Sequence, residues 1–207
     1  SSFVRHALTL VLLVFLLCVS IAALAVDSWY FYESTDGDVD ITTYYGLYNQ
    51  KLCFTQSNDE SCTTKNYADL QDDSEGDDSH DYEQLRSSGG LVTIFVVLNI
   101  ITVLILGLIT LARLIEPLGN LLGSISSSQT LKNHEHSLLF ICVILEVVAT
   151  VFWIAMFPLY DDLSDETIKL GPGMVLMIVS IVFTLLGGIL GSVLRRREGY
   201  EEIQNPN

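Results

Sequence analysis

Basic side chains are scarce in this sequence. Ten lysines and arginines stand against 25 aspartates and glutamates in 207 residues, a formal net charge of −15 and an isoelectric point near 4.3. Binding nucleic acid needs a cationic surface to meet phosphate, so nucleic acid is excluded as a partner class. Catalytic and metal-binding patterns are missing too. There is no cysteine or histidine cluster at metal-ligand spacing, no glycine loop that cradles phosphate, and no Ser/His/Asp or HExxH arrangement. His134 and His136 flank Glu135 with no cysteine or further histidine near them, which does not make a metal site. The expectation is a protein with no cofactor, and not an enzyme.

Apolar residues, by contrast, make up 50% of the chain, and mean hydropathy is +0.44. A soluble chain this apolar would have to hide more surface than its length can bury, and an acidic disordered chain would lack the aliphatic content. The two kinds of residue must therefore be segregated along the sequence. They are: the apolar blocks 7–26, 91–111, 138–158 and 174–194 each have about the ~20 residues a helix needs to cross ~30 Å of hydrocarbon. This predicts a mainly α membrane protein of four spans, with termini 1–6 and 195–207 and loops 27–90, 112–137 and 159–173. Ala23-Leu24-Ala25 resembles a signal cleavage site, but the apolar run before it exceeds the usual ~7–15 residue signal core, so the first block is read as a span.

Sorting the charges by segment orients the chain. Arg5, Arg113, Lys132 and the run Arg195, Arg196, Arg197 all lie near span ends on one side, which by the positive-inside rule places both termini and the middle loop in the cytoplasm. The other two loops then face outside or into a lumen. Loop 27–90 has 15 acids against Lys51, Lys65 and Arg86, and Asp161, Asp162, Asp165 and Glu166 stand against Lys169 in the last loop. These two loops account for the whole excess of negative charge.

The long loop opens on Asp27-Ser28-Trp29-Tyr30-Phe31-Tyr32-Glu33, followed by Val39-Asp40-Ile41-Thr42-Thr43-Tyr44-Tyr45-Gly46-Leu47-Tyr48. Aromatic and β-branched residues on either side of Asp36-Gly37 predict an antiparallel pair of strands, with a third strand over 51–55 after the Gly46 turn. Cys53 and Cys62 are the only cysteines outside the spans, and both lie in the loop expected to meet an oxidising compartment, so a Cys53–Cys62 disulfide is predicted. Cys18 and Cys142 fall inside spans and read as small apolar packing residues.

Trp29 after the first span, Gly46-Leu47-Tyr48, Cys53 and Cys62 together resemble the W…GLW…C…C signature of the claudin superfamily. That group also holds the peripheral myelin protein, the epithelial membrane proteins and the claudin-like auxiliary subunits of glutamate receptors and calcium channels. Arg86, shortly before the second span, is similar to an arginine that claudins carry there. The resemblance covers the whole topology and implies a left-handed four-helix transmembrane bundle carrying a small extracellular antiparallel β-sheet. The sequence departs from the pattern in four places. Tyr48 stands where the signature has tryptophan, the interval from Gly46 to Cys53 is longer, an acidic stretch over 69–83 precedes the second span, and residues 204–207 lack the hydrophobic end with which claudins bind PDZ scaffolds. Tetraspanins, whose cysteine-rich loop is the second one, and connexins, with cysteines in both loops, fit less well.

Several polar residues are candidates for function. On a single strand, Asp36, Asp38 and Asp40 would present three carboxylates on one face, either attracting cations or forming part of a solvated acidic surface. The run 72–78 has less pattern and reads as a mobile, solvated segment. Glu146 lies mid-span, where an ionised carboxylate facing lipid costs several kcal/mol, so it should face the bundle, be protonated, or pair with a polar group on another protein, as a functional site or as interhelical glue; within the bundle Ser20, Asn99 and Thr102 are its candidate partners. Gly187/Gly191 and Gly188/Ser192 form small-xxx-small pairs that admit another helix, inside the bundle or from a partner. Trp153, Tyr160 and Tyr30 read as packing or interfacial anchors.

Near the end of the chain, Gly199, Tyr200 and Ile203 resemble the GYxxΦ sorting signal of lysosome-associated membrane glycoproteins, and the same tyrosine suits an SH2 domain. The expected role is therefore non-enzymatic. Either the protein is an accessory subunit of a channel or transporter, or an adhesion component, in the plasma or endolysosomal membrane; or it is a barrier- or cation-pore-forming claudin at cell junctions. Its partners would be membrane lipid, another membrane protein such as a channel, a transporter or a homologous chain, and an adaptor or SH2 domain at the tail. Deleting 199–203 should move the protein from endolysosomal membrane to the cell surface, as read by surface biotinylation; an unchanged distribution would remove the sorting signal from consideration.

Overall fold

Long apolar helices, a small antiparallel sheet and one short acidic helix make up the described residues. The computed structural model describes residues 2–57, 59–74, 77–115, 129–156 and 168–204, with 2, 77–78, 129–137 and 194–204 described by backbone alone. The helices are α1 (Ser2–Ala25), α2 (Tyr67–Asp73), α3 (Asp77–Leu114), α4 (Gln129–Ala155) and α5 (Pro172–Gln204). The strands are β1 (Tyr30–Asp36), β2 (Val39–Tyr45), β3 (Asn49–Gln56), β4 (Asp59–Asn66) and β5 (Lys169–Leu170).

Four helices, α1, α3, α4 and α5, contain spans long and apolar enough to cross a membrane: Phe3–Ala25, Ser79–Leu114, Leu138–Ala155 and Pro172–Val193. This is the make-up of a multi-pass membrane protein. Each span buries one narrow stripe and leaves large aliphatic residues such as Val11, Leu104, Ile144 and Leu186 exposed around the rest. In water such a surface would drive aggregation; in a bilayer it meets hydrocarbon. The buried stripe of α4 runs Leu139, Cys142, Glu146, Ala149, Trp153, and α3 continues the same spacing of three and four through Val92, Val96, Asn99, Val103 and Leu106. That spacing keeps one seam of a helix against its neighbours. Cys142 lies in this seam, whereas Cys18 faces outward from α1.

The sheet has the order β4-β3-β2-β1-β5, all pairs antiparallel. β1 and β2 meet at the two-residue turn Gly37-Asp38, flanked by the pair Asp36↔Val39. Gly37 has φ +63°, as a type II′ turn requires at its first central position. β3 covers the expected third strand and extends it at both ends. The expected Cys53–Cys62 disulfide is present, between β3 and β4; for a loop this short it stabilises by about 2–3 kcal/mol on the chain-entropy model.

Two strands lie outside what the sequence patterns predict. β4 (Asp59–Asn66) is polar and exposed at all eight positions, so no alternation marks it, and its place follows from β3 pairing and the disulfide. β5 has two residues and exists through pairing of Tyr30 with Leu170 and Phe31 with Lys169. The acidic stretch is also more ordered than its composition implies. Residues 67–73 and 77 onward are helical, with 75–76 outside the described residues. The physical reason is a spaced apolar minority: Tyr67 and Leu85 are fully buried, Leu70 and Tyr82 pack beside them, and the rings of Tyr67 and Tyr82 stack with centroids 6.5 Å apart.

Trp29 joins sheet to bundle. Fully buried, it donates its indole N–H to the Ala23 carbonyl of α1 at 3.0 Å and its backbone N–H to Tyr45 at 2.7 Å, and its ring meets Trp153 of α4 edge-on at 5.9 Å. The neighbouring Gly171 and Gly173 donate to the carbonyls of Trp29 and Ser28 at 2.8 and 2.9 Å, and a Cβ on Gly173 would run into the indole. On the opposite side Gly89 of α3 abuts the Leu47 carbonyl so closely that a Cβ has no room, whereas Gly90 faces open space. Gly89→Ala should therefore cost about 1–3 kcal/mol, an overpacking penalty, while Gly90→Ala should be neutral or slightly stabilising. Thermal unfolding of the purified protein in detergent checks the pair, and equal midpoints would contradict the close approach.

Candidate functional site

The four spans meet at one polar cluster. Glu146 of α4 is 1% exposed. Its Oε1 accepts from Asn99 Nδ2 of α3 at 2.9 Å and from the Ser180 hydroxyl of α5 at 2.5 Å, and its Oε2 is 3.3 Å from the Thr184 hydroxyl of α5. Asn99 Nδ2 also reaches Ser20 Oγ of α1 at 3.4 Å. Every span thus contributes a polar group to one buried network.

Two of the three partners expected for Glu146, Asn99 and Ser20, belong to this network; the third does not. Thr102 turns its hydroxyl back to the Leu98 carbonyl of its own helix at 2.8 Å. Ser180 and Thr184, which supply the other contacts, carry a signal in the sequence: two hydroxyl residues four apart in an apolar span lie on one helix face. Asn99 Oδ1 is buried and accepts no hydrogen bond among the described residues.

The network is interhelical glue by geometry, since each member lies on a stripe that faces the other helices. Individual hydrogen bonds of this kind are worth about 0.6 kcal/mol, up to about 1.7. Glu146→Ala removes the shared acceptor and should lower stability by about 2–3 kcal/mol. Glu146→Gln keeps an acceptor for Asn99 and Ser180 and should lose less than half of that. Comparing the thermal midpoints of both variants in mild detergent checks the order; equal losses would mean that volume, not hydrogen bonding, sets the effect.

The sheet forms the second candidate region. Gly46 and Leu47 are buried: Gly46 closes the β2–β3 connection with its N–H on the Asn49 carbonyl at 2.9 Å, and its own carbonyl accepts from the Tyr67 hydroxyl at 2.8 Å. A Cβ at Gly46 would lie 2.8 Å from the Asp27 carbonyl oxygen, which accounts for glycine there. Burial pushes the Tyr67 phenol well above its ordinary pKa, so it stays a neutral donor. Tyr48 has the different task of an anchor. It is half exposed, and its hydroxyl bonds Thr93 on α3. Arg86 is exposed on α3, one position after buried Leu85.

Asp36, Asp38 and Asp40 do not share one strand. Asp36 ends β1, Asp38 lies in the turn and Asp40 belongs to β2, because glycine at 37 reverses the chain there. The three acids therefore gather at the tip of a hairpin instead of lining one face. Thr35 donates to Asp40 at 3.0 Å across that tip.

The lysines of the sheet region are engaged elsewhere. Lys169 pairs with Glu33 and lies 5.6 Å from the Phe31 ring, Lys51 lies 5.8 Å from the Tyr44 ring, and Lys65 pairs with Asp73 at 2.8 Å. Phe31 and Tyr44 are themselves paired across β1 and β2, so one row of register runs Lys169, Phe31, Tyr44, Lys51 over four strands.

On α5 the small residues divide. Gly187 packs against Leu12 of α1, whose Cδ2 would have to move to admit a Cβ, while Gly188 opens onto free space. Gly191 is half-buried and Ser192 exposed. Trp153 and Tyr30 are buried packing residues, and Tyr160 lies outside the described residues, as do Asp161, Asp162, Asp165 and Glu166. Gly199, Tyr200 and Ile203 lie on the backbone-only end of α5, which is helical through Gln204, so an adaptor that reads an extended chain would have to unwind that end.

Compared with protein-family models and with curated proteins, the sequence gives no match to either. Four long apolar helices with a small antiparallel sheet are compatible with a claudin-like shape.

Proposed function

We propose that this chain is a claudin-like, non-enzymatic integral membrane protein that acts by protein–protein interaction, as an accessory subunit of a channel or transporter complex or as an adhesion or membrane-organising component. The observation that carries the reading is how the polar groups divide. Those inside the bundle bind one another across all four spans, whereas those of edge strand β4, pinned by the disulfide, face outward, all eight of its residues being exposed. A buried network shared by all four spans holds the bundle together; an exposed, disulfide-pinned sheet edge offers a surface to another molecule. On this reading the bundle is left-handed, as its heptad-like stripes favour, both termini are cytoplasmic, and the sheet faces outside or into a lumen of the plasma or endolysosomal membrane.

The edge can be tested at a single position. Cys53 and Cys62 have Cα atoms 4.1 Å apart, the close spacing of a pair that exchanges no ladder bonds, so the N–H groups of Glu60, Cys62 and Thr64 point away from the sheet. Proline at 64 removes an outward donor without breaking the ladder. Purification of the full chain from native membranes in mild detergent, followed by mass spectrometry, should recover one channel, transporter or related chain in fixed proportion. Thr64→Pro should lose it while the thermal midpoint stays put. Recovery of the chain alone would overturn the accessory reading.

A second reading, a cation-selective barrier between cells, is favoured by the gathering of Asp36, Asp38 and Asp40 at one hairpin tip. It requires cation conductance across an expressing cell layer to fall when all three are changed to asparagine; unchanged conductance would remove it.

A further inference from the structure

Between α4 and α5, at the membrane end opposite the sheet, lies an open groove of 290 Å³. Leu139, Phe140 and Val143 form one wall, and Leu185, Gly188 and Ile189 the other. Gly188 leaves it open, since nothing lies within 4 Å of where its Cβ would be. The two hydroxyls of the lining are already engaged: Thr184 donates to the Ser180 carbonyl at 2.8 Å and Ser192 to the Ile189 carbonyl at 2.7 Å. The lining thus has no free hydroxyl donor to offer an occupant, which makes hydrocarbon the matching chemistry.

Charge narrows the choice further. Along α5 the groove runs from Thr184 to Ser192, and the helix continues unbroken to Gln204. The register that places 185, 188 and 192 on one face brings positions 195 and 196 next, and these are the first two of Arg195, Arg196 and Arg197. A hydrocarbon slot that ends below a cationic cluster at the membrane surface matches a lipid with a negative headgroup.

We infer that the α4–α5 groove seats one acyl chain of an anionic phospholipid whose headgroup lies at the level of positions 195–197. The inference needs only that the helices span the membrane, so it stands or falls apart from the proposed partner role.

Native mass spectrometry of the full chain in mild detergent, titrated with phosphatidylserine or with phosphatidylcholine of the same acyl chains, tests it. Phosphatidylserine, which carries a net negative charge where phosphatidylcholine carries none, should be held several-fold more tightly at low salt. Changing all three arginines to glutamine should bring the two lipids level. Gly188→Leu should weaken both lipids, while Gly107→Leu, at another open glycine on α3, should weaken neither. Equal retention of both lipids by the unaltered protein would overturn the headgroup assignment. Full competition by glycerophosphoserine, which has the headgroup and no chains, would overturn the acyl seat, and so would cross-linking of Gly188→Cys to another polypeptide in native membranes. The arginine variants leave the span untouched, so the headgroup result holds even if Gly188→Leu fails to fold.

Discussion

Trp29 is the constraint through which the two halves of the molecule are fixed to each other. A sheet that follows a transmembrane helix by four residues has no linker in which to find its orientation, so orientation must come from a contact. The indole supplies it in three directions at once: a hydrogen bond to the last turn of α1, an edge on Trp153 of α4, and a face against Gly173 at the start of α5. Its own backbone meanwhile accepts from Gly171 and donates to Tyr45. An aromatic ring with one polar atom suits this place, because most of its area is buried and its single N–H finds a carbonyl that the helix end leaves without an intrahelical partner.

The bundle centre obeys a different rule. Apolar packing between spans has little advantage over apolar packing against lipid, so specificity in such a bundle falls to close contacts and polar groups. Here both are present and separate in space. The carboxyl of Glu146 collects hydroxyl and amide donors from two other helices near mid-membrane, and Gly187 lets α1 approach α5 nearer its arginine-bearing end. Sliding any one helix by a turn would break the cluster, so it fixes register as well as adhesion.

What could be read in advance follows from which signals are local. The four apolar runs and Trp29 announce themselves, because span length and an aromatic next to a span are properties of neighbouring residues. Cys53 and Cys62 could be paired because nothing else outside the spans competes for them. β4 could not be seen, since a strand exposed on all sides has no alternation, and β5 could not because its two residues become a strand through Tyr30 and Phe31 far away in sequence. The acidic helices were masked by their own charge: counting aspartates hides the spaced pair Tyr67 and Leu70 that orders them. For Glu146, its mid-span position announces a need for partners, and two of them are legible, but choosing Thr184 over Thr102 depends on how α5 is rotated, which is a property of the assembled bundle.

The length of α3 has a mechanical consequence. Its 38 residues make a rod of about 57 Å, roughly twice the thickness of the hydrocarbon it crosses. Its weakest stretch, Ser87-Ser88-Gly89-Gly90, is where such a rod would bend, and that is where the Leu47 backbone presses against Gly89. The soft point of the lever is clamped by the sheet. A displacement of the sheet at Leu47 is therefore met at Gly89, the point where the rod would otherwise give way.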